Sequence, residues 1–282
     1  MPGMKWTFMS LQILDEVRSG KMTFAEMFPR ARAAGFVAYD ASDMDAEFAD
    51  REEVLRLCRE NGLKIADYIH WIHMATPDDK ALEAAIESGK QAVHTALAHG
   101  TKMLMIVEQV NRHDLEKLTR QEASRRMGCA LREIVNYADK FGVTVMVEDF
   151  PVPALPMSTS DEMKALLDAA PGLQLILDTG NMLAQKEDPL HFYQALKGHY
   201  AHVHLKDIEY PENATTGDID CDGRHIWNAQ HGEGVVNFAA LLPDLKQNGF
   251  DGYVTVEYGP HEGTKDHFEK MAESIRYLEG LL

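Results

Sequence analysis

Four segments of the chain carry a residue that could bind a cation at or near the end of an apolar run. VTVMVE ends at Glu148, LQLILD ends at Asp178, GYVTVE ends at Glu257, and YAHVHLK carries His204 two residues before its end. A carboxylate placed directly after a buried strand is costly unless it is paired, hydrogen-bonded or bound to a cation. Three carboxylates and one imidazole, with no sulfur donor, suit a hard octahedral divalent ion that keeps positions open for water or substrate.

Each of these residues alone has a simpler explanation. A single acidic residue at a strand end is commonly a helix cap or a loop hydrogen-bond acceptor, and a lone interior histidine is commonly a satisfied core residue. The four become a set only if the fold brings their strand ends together. The elements that would position them therefore decide between the two interpretations.

Eight β-rich segments alternate with eight amphipathic segments along the whole chain. The predicted strands cover residues 5–10, 36–40, 64–71, 102–108, 143–148, 173–178, 200–206 and 252–257. The predicted helices cover 23–34, 45–61, 78–99, 114–141, 160–169, 189–197, 237–248 and 266–281. Thr23 and Glu26 have capping-box spacing, and Gly35 stands where a left-handed cap is expected. With no linker or composition break, the alternation predicts a single-domain (β/α)8 TIM barrel over residues 1–282.

A barrel of this kind gathers the C-terminal ends of its strands at one face, where catalytic groups are found. Adjacent strands lie about 5 Å apart, so strands five to eight would bring the four candidate ligands into a half-ring. One connection is irregular, because residues 208–236 separate strand seven from the next helix without a periodic signal. We expect this long βα loop to form a lid or substrate wall, with a mobile surface excursion as the alternative.

Several short motifs resemble those of a known family. VED at 147–149, LDTGN at 177–181, VHLKD at 203–207, HGEG at 231–234 and VEYG at 256–259 look like the xylose-isomerase-like barrel superfamily of sugar and sugar-phosphate isomerases and epimerases. That superfamily includes ketose 3-epimerases, hydroxypyruvate isomerase and inosose dehydratase. The resemblance covers nearly the whole chain, and it makes the same four residues metal ligands: Glu148, Asp178, His204 and Glu257.

The resemblance also implies a mechanism, in which Glu148 and Glu257 act as an acid/base pair on opposite faces of the substrate carbon. A cation polarises a carbonyl and its neighbouring hydroxyl, a glutamate removes the adjacent proton, and an enediolate forms. Return of the proton gives an epimerase or isomerase, whereas departure of a β-leaving group gives a lyase or dehydratase. Mn²⁺ is the first choice of metal, with Mg²⁺, Co²⁺ or Zn²⁺ as alternatives.

Five further residues are candidates for contacts with a substrate. Lys206 shares the His204 face and could hold a substrate oxygen or pair with a ligand carboxylate. Asn181 stands where several family members have histidine, and Arg224 lies in the long loop, whereas the arginine that often follows the histidine strand is missing. His70 belongs to an aromatic group on the third strand, and Glu108 ends the fourth strand, where a structural salt bridge is its alternative. Asp149, Phe150 and Pro151 suggest a subgroup acting on modified sugars such as 3-keto-glycosides or inososes.

The composition limits the classes of binding partner that we expect. A net charge of −17 over 282 residues disfavours nucleic acid and anionic membranes, and hence a nuclease resembling endonuclease IV. A non-enzymatic sugar-binding barrel is the other alternative, but it would not need two glutamates across one metal. Three widely spaced cysteines and the absence of a signal-like N-terminus predict a cytoplasmic protein. The expected partner is a small carbohydrate, and homo-oligomerisation stays open.

Overall fold

The computed structural model describes residues 4–258 and 266–282, which contain eleven β-strands. Gly259 of the VEYG motif lies outside these residues. The strands are β1 (Lys5–Met9), β2 (Ala38–Ser42), β3 (Lys64–Ile72), β4 (Met103–Glu108), β5 (Thr144–Glu148), β6 (Gln174–Asp178), β7 (Tyr200–Leu205), β8 (Asp207–Glu209), β9 (Asp218–Ile219), β10 (His225–Ala229) and β11 (Tyr253–Val256).

Ten α-helices occur in the same described residues, and most of them connect successive barrel strands. They are α1 (Leu14–Arg18), α2 (Phe24–Ala34), α3 (Arg51–Glu60), α4 (Asp79–Ala98), α5 (Arg112–Leu115), α6 (Arg120–Asp139), α7 (Ser160–Ala169), α8 (Pro189–Ala195), α9 (Phe238–Gln247) and α10 (His267–Glu279). Thr23 and Glu26 form the predicted capping box on α2, and Gly35 ends that helix with φ of 106°. None of the helices in the described ranges combines the length and apolar character needed to cross a bilayer.

Eight of the strands close into a parallel barrel, which confirms the predicted (β/α)8 fold. Each of β1 to β6 pairs with the next strand along the chain, β7 pairs with β11, and β11 pairs with β1. The predicted helix 114–141 is instead two helices, α5 and α6, because Thr119 and Glu122 form a second capping box that starts α6 at Arg120. The short helix α1 was not predicted.

The interior of the barrel is divided into an apolar and a polar part. Side chains alternate between the two faces of each strand, and the outward ones pack against the helices in one large core. A separate apolar cluster contains the inward residues Met9, Ile69, Met105, Val107, Met146 and Ile176. Inward positions on β7 and β11 instead carry histidine and threonine, namely His202, His204 and Thr255, all buried. The ligands therefore stand above a half-polar barrel floor.

The long βα loop has its own secondary structure. Strands β8, β10 and β9 form a three-stranded antiparallel sheet, where the sequence shows no periodic signal. Asp207 fastens the loop at both ends, since its buried carboxylate accepts backbone N–H groups at distances of 2.9–3.0 Å. The donors are Ile208, Gly232, Gly234 and Val236. A Cβ at Gly234 would collide with this carboxylate, so the glycine of HGEG is required by close approach.

Candidate metal centre

The four predicted ligands meet at the C-terminal face of the barrel. One donor atom from each of Glu148, Asp178, His204 and Glu257 lies within 4.8 Å of the other three. The Nδ1 atom of His204 is 2.5 Å from Glu148 Oε1 and 3.5 Å from Glu257 Oε2. The two glutamates therefore flank the imidazole, as the half-ring of strand ends predicts.

The strand register explains this convergence. Glu148 and Asp178 are the last residues of β5 and β6, and Asp178 is the register partner of His204 on β7. Glu257 follows β11 directly, and its N–H donates to the Leu205 carbonyl at 2.8 Å, which extends the ladder by one residue. Inward alternation then points all four side chains into the same space.

Lys206 brings a positively charged ammonium group into contact with the ligands. Its Nζ atom lies 2.6 Å from Glu257 Oε1 and 3.1 Å from Asp178 Oδ2, and it donates to Asn181 Oδ1 at 2.8 Å. Of the two roles considered for Lys206, the structure shows the pairing with ligand carboxylates. The ammonium group offsets part of the negative charge that three buried carboxylates bring together.

Charge coupling dominates the protonation of these groups. Burial opposes ionisation of Glu257, but Lys206 and His204 outweigh it and hold the pKa of Glu257 well below its usual range. For Asp178 burial wins over the attraction of Lys206, and with repulsion from Glu257 and Glu148 it raises the pKa to about 8. Burial also opposes protonation of His204, yet the Glu148 carboxylate raises the pKa of His204 well above its ordinary value.

The donor set fits a divalent cation. Carboxylate oxygens and one imidazole nitrogen are the ligands that Mg²⁺, Mn²⁺ and Zn²⁺ accept in proteins. Asp178 is fully buried, and its Oδ1 accepts the N–H groups of Gly180 and Asn181 at 2.7 and 2.8 Å, which fixes the carboxylate. A cation at this point would supply the positive charge that the buried carboxylates require.

Asn181 and Asp149 lie beside the ligands and form hydrogen bonds within the protein. The amide of Asn181 is engaged at both ends, since Nδ2 donates to the Asp149 carbonyl at 2.8 Å while Oδ1 accepts from Lys206. Its polar atoms thus bond within the protein, and a substrate contact through Asn181 stays a prediction. Asp149 is fully buried, and burial together with the charges of Asp178 and Glu148 raises its pKa well above the usual value.

The structure places His70 away from the ligand set, and its contact with substrate stays a prediction. Its neighbours Ile69 and Trp71 pack with the inward cluster, so His70 faces outward. There Nδ1 lies 2.6 Å from Asp43 Oδ2, and Nε2 lies 2.9 Å from Ser88 Oγ on α4. His70 therefore ties the barrel to its helical layer.

Glu108 makes the contacts of its structural alternative, and its role as a substrate residue stays a prediction. Its carboxylate is fully buried and accepts the N–H groups of Met74 and Ala75 at 2.8 and 3.2 Å. It also lies 2.9 Å from His73 Nδ1, whose Nε2 is 3.0 Å from Asp114 Oδ2. These contacts fasten the loop after β3 to the segment after β4.

Arg224 is held within the long loop rather than with the ligand set. Its guanidinium carbon lies 3.7 Å from the centre of the Tyr210 ring, and its Nε is 3.4 Å from Asp220 Oδ2. Both partners lie within the long loop, and 54% of the Arg224 side chain is exposed. A substrate contact through Arg224 stays a prediction.

Sequence reasoning missed a buried polar layer below the ligands. Asp40 on β2 and Asp67 on β3 are both fully buried, and donor atoms of Asp40, His202 and His204 lie within 4.8 Å of one another. The available signal was an acidic residue inside each of two apolar strands, which is unusual unless the residue is paired.

The comparisons with known proteins agree with the barrel fold. Residues 14–281 match the family model described as xylose isomerase-like TIM barrel. An inosose dehydratase of Lacticaseibacillus casei is 19% identical over 235 residues, covering 78% of this chain and 77% of the relative. An L-ribulose-5-phosphate 3-epimerase of Escherichia coli (strain SE11) is 26% identical over 241 residues, covering 81% and 80%.

The crystal structure of the IOLI protein with a binding zinc atom superimposes with a TM-score of 0.77 at 18% identity, covering 98% of this chain and 96% of that one. This likeness shows the fold. The two curated relatives are sugar-modifying enzymes by name. Since the family model covers nearly the whole chain, the protein belongs to the xylose isomerase-like TIM barrel family.

Proposed function

We propose that this protein is a divalent-metal-dependent isomerase or epimerase of a sugar, keto-sugar or related polyol. The observation that carries the proposal is that Glu148 and Glu257 lie 2.5 and 3.5 Å from His204 Nδ1 and come from strands on either side of β7 in the barrel order. Two carboxylates facing one small space can exchange a proton with the two faces of a substrate carbon. The similarity to an epimerase and a dehydratase of sugars supports the same reaction class.

The protein's own residues would divide the chemistry as follows. A bound divalent ion, held by Glu148, Asp178, His204 and Glu257, supplies the Lewis acidity that makes the proton next to a carbonyl acidic. Although burial opposes ionisation of Glu257, the ammonium group of Lys206, 2.6 Å from Glu257 Oε1, lowers its pKa and keeps the carboxylate ionised. In this proposal the ionised Glu257 accepts the proton, and Glu148 delivers one from the other side. For an isomerase the proton returns to the neighbouring carbon.

Mn²⁺ is the metal that we propose first, with Mg²⁺, Co²⁺ and Zn²⁺ as alternatives. Three carboxylates make the donor set hard, and the single imidazole favours a first-row transition ion over Mg²⁺. The solved IOLI structure carries zinc, which supports a divalent ion in this fold without choosing among these metals.

A dehydratase is the second candidate, because the inosose dehydratase relative aligns over 78% of the chain. Both reactions start with removal of a proton next to a carbonyl, and they differ in whether a hydroxyl at the β-carbon then leaves. We further propose that the protein works in the cytoplasm, since all three cysteines are unpaired thiols. The proposed substrate is a small carbohydrate.

Proton exchange with solvent tests the proposal without assuming a product. The Mn²⁺-loaded protein is incubated in D₂O with ketoses, inososes and 3-keto-glycosides, and deuterium at carbon is followed by NMR. We expect wild-type protein to label one substrate class, and Glu148→Gln and Glu257→Gln each to slow labelling at least about 100-fold, because general acid–base catalysis contributes on that order.

Glu108→Gln is the matched control, since it removes a buried strand-end carboxylate that binds loop amides instead of the ligand set. We expect it to retain labelling within about threefold, since it removes no general acid or base. Labelling that persists in both Glu148→Gln and Glu257→Gln would exclude these residues as the bases. An unlabelled substrate converted to a dehydrated product would favour the second candidate.

A further inference from the structure

The polar layer beneath the ligands has a fixed hydrogen-bond order. Asp40 Oδ1 accepts the Thr7 hydroxyl and Asp40 Oδ2 accepts the Thr255 hydroxyl, both at 2.8 Å. The Thr255 oxygen lies 2.7 Å from His202 Nε2. Since the one Thr255 proton goes to the Asp40 carboxylate, His202 Nε2 must donate to Thr255. Both oxygens of Asp40 are therefore held in place from β1 and β11.

This layer lies on the side of the His204 ring that is turned away from the ligand set. The Nδ1 atom of His204 points toward Glu148 and Glu257, as described above, so its other ring nitrogen points away from the ligand set. That atom, Nε2, is buried and has no hydrogen-bond partner among residues 4–258 and 266–282. A nitrogen of His204 lies within 4.8 Å of an Asp40 oxygen, and Asp67 on the next strand is buried in the same layer.

A metal-ligating imidazole needs an acceptor for its second N–H. When one ring nitrogen binds a cation, the other carries the proton, and a buried N–H without an acceptor is costly. Carboxylates commonly fill this role, because they fix the orientation of the ring and make it a stronger ligand. Asp40 is the carboxylate of this layer that shares the cluster with His204, and its own orientation is already fixed by two hydroxyls.

We propose that Asp40, held by Thr7 and Thr255, is a positioning residue that accepts the Nε2–H of His204 when a divalent ion is bound. The inference rests on the proposed metal centre, since it assigns a role to residues behind that centre. It explains why β2 retains the buried Asp40 in a barrel interior that also holds a cluster of methionine, isoleucine and valine. This carboxylate is retained at a cost in burial because it orients the ligand above it.

The test is the affinity of the full-length protein for Mn²⁺, measured after removal of metal with a chelator, by the EPR signal of free Mn²⁺. We expect about one ion per chain in the wild type and binding weakened about 10- to 100-fold in Asp40→Asn, the usual cost of losing such a partner. Thr7→Val removes only one of the two hydroxyls that hold Asp40, so we expect a smaller loss. This second variant keeps the test decisive if Asp40→Asn folds poorly.

Asp45→Asn is the matched control. Asp45 is also a buried carboxylate near the end of β2, but it accepts from Ser10 and Tyr39 at 2.7 and 2.6 Å instead of facing the ligands. We expect its Mn²⁺ affinity to match that of the wild type. The visible spectrum of the Co²⁺-loaded protein should shift in Asp40→Asn and stay unchanged in Asp45→Asn, since only the former alters the imidazole bound to the metal.

Three results would overturn the inference. Equal Mn²⁺ affinity of the wild type and Asp40→Asn would show that Asp40 does not support His204. Two ions per wild-type chain, reduced to one in Asp40→Asn, would make the layer a cation site in its own right. A wild-type protein that binds no divalent ion would remove the metal centre as well, which separates failure of the proposed function from failure of this inference.

Discussion

Replacing Lys206 with methionine tests whether the lysine and a metal ion share the same role at the site. Lys206 Nζ lies 2.6 Å from Glu257 Oε1 and 3.1 Å from Asp178 Oδ2, with only 7% of the residue exposed. Methionine keeps most of the side-chain volume and removes the charge. The change therefore leaves two buried carboxylates without their ammonium partner.

The expected cost is large in the metal-free state. Removing one partner of a buried ion pair destabilises a protein by about 3–5 kcal/mol. At about 2 °C per kcal/mol for a chain of this size, the melting temperature should fall by roughly 6–10 °C. Mn²⁺ would restore most of this loss, because a divalent ion attracts the same carboxylates that the ammonium group attracted.

Metal affinity should change in the opposite direction. Unit charges about 4 Å apart interact by about 4 kcal/mol at an effective dielectric constant near 20, so removal of the ammonium group relieves repulsion of the cation. Relaxation and screening reduce this figure, and we expect Mn²⁺ to bind at least about tenfold more tightly to Lys206→Met. Asp178→Asn, which removes a ligand, should weaken binding instead.

Differential scanning calorimetry with and without Mn²⁺, together with a chelator competition, measures both quantities. Lys197→Met is the control, since Lys197 pairs with Asp244 at 2.8 Å on the surface, where such pairs are worth about 0–1 kcal/mol. A metal-free Lys206→Met protein that melts like the wild type would refute the charge argument. Weaker Mn²⁺ binding in this variant would refute it as well.

Two further predictions concern the loops around the site. Glu108 and Asp114 raise the pKa of His73 from 6.5 to about 9, so the stabilisation is fully present below pH 6.5 and is lost as the pH rises through about 9. His73→Gln should therefore lower the free energy of urea unfolding more at pH 6 than at pH 10, and an equal loss at both would contradict the assignment. Asp207→Asn weakens charge-assisted bonds to loop amides worth about 1.5 kcal/mol each, so limited proteolysis within residues 208–236 should accelerate about tenfold. Unchanged cleavage would show that Asp207 does not fasten the loop.

The ligands could be predicted from the sequence because both strand order and residue type indicated them. Glu148, Asp178 and Glu257 each stand at the end of an apolar run, and an eightfold alternation of strands and helices places consecutive strand ends side by side. Neither argument requires knowing which face of a strand points into the barrel. The structure brings all of these residues together with His204.

The sequence says less about a residue whose role depends on which face of its strand points inward. MLMIVE and VTVMVE both end in glutamate. Glu148 stands two residues after the inward Met146 and so points inward, whereas Glu108 stands one residue after the inward Val107 and so points outward. Parallel barrel strands are apolar on both faces, so alternation in the sequence does not reveal which face is inward. The orientation of His70 could not be predicted for the same reason.

Because Asp207 anchors the long loop, the expected substrate wall can vary in sequence and length without changing the stability of the barrel. One carboxylate ties the segment's start, at Ile208, to its end, at Val236, so the chain between them closes on itself before it rejoins the barrel. When the length of such a closed segment changes, the free-energy cost that changes is the entropy of closing the loop, which grows only slowly with length. Homologues could therefore exchange the whole insert, and with it the surface presented to substrate, without moving the strand ends that carry the ligands.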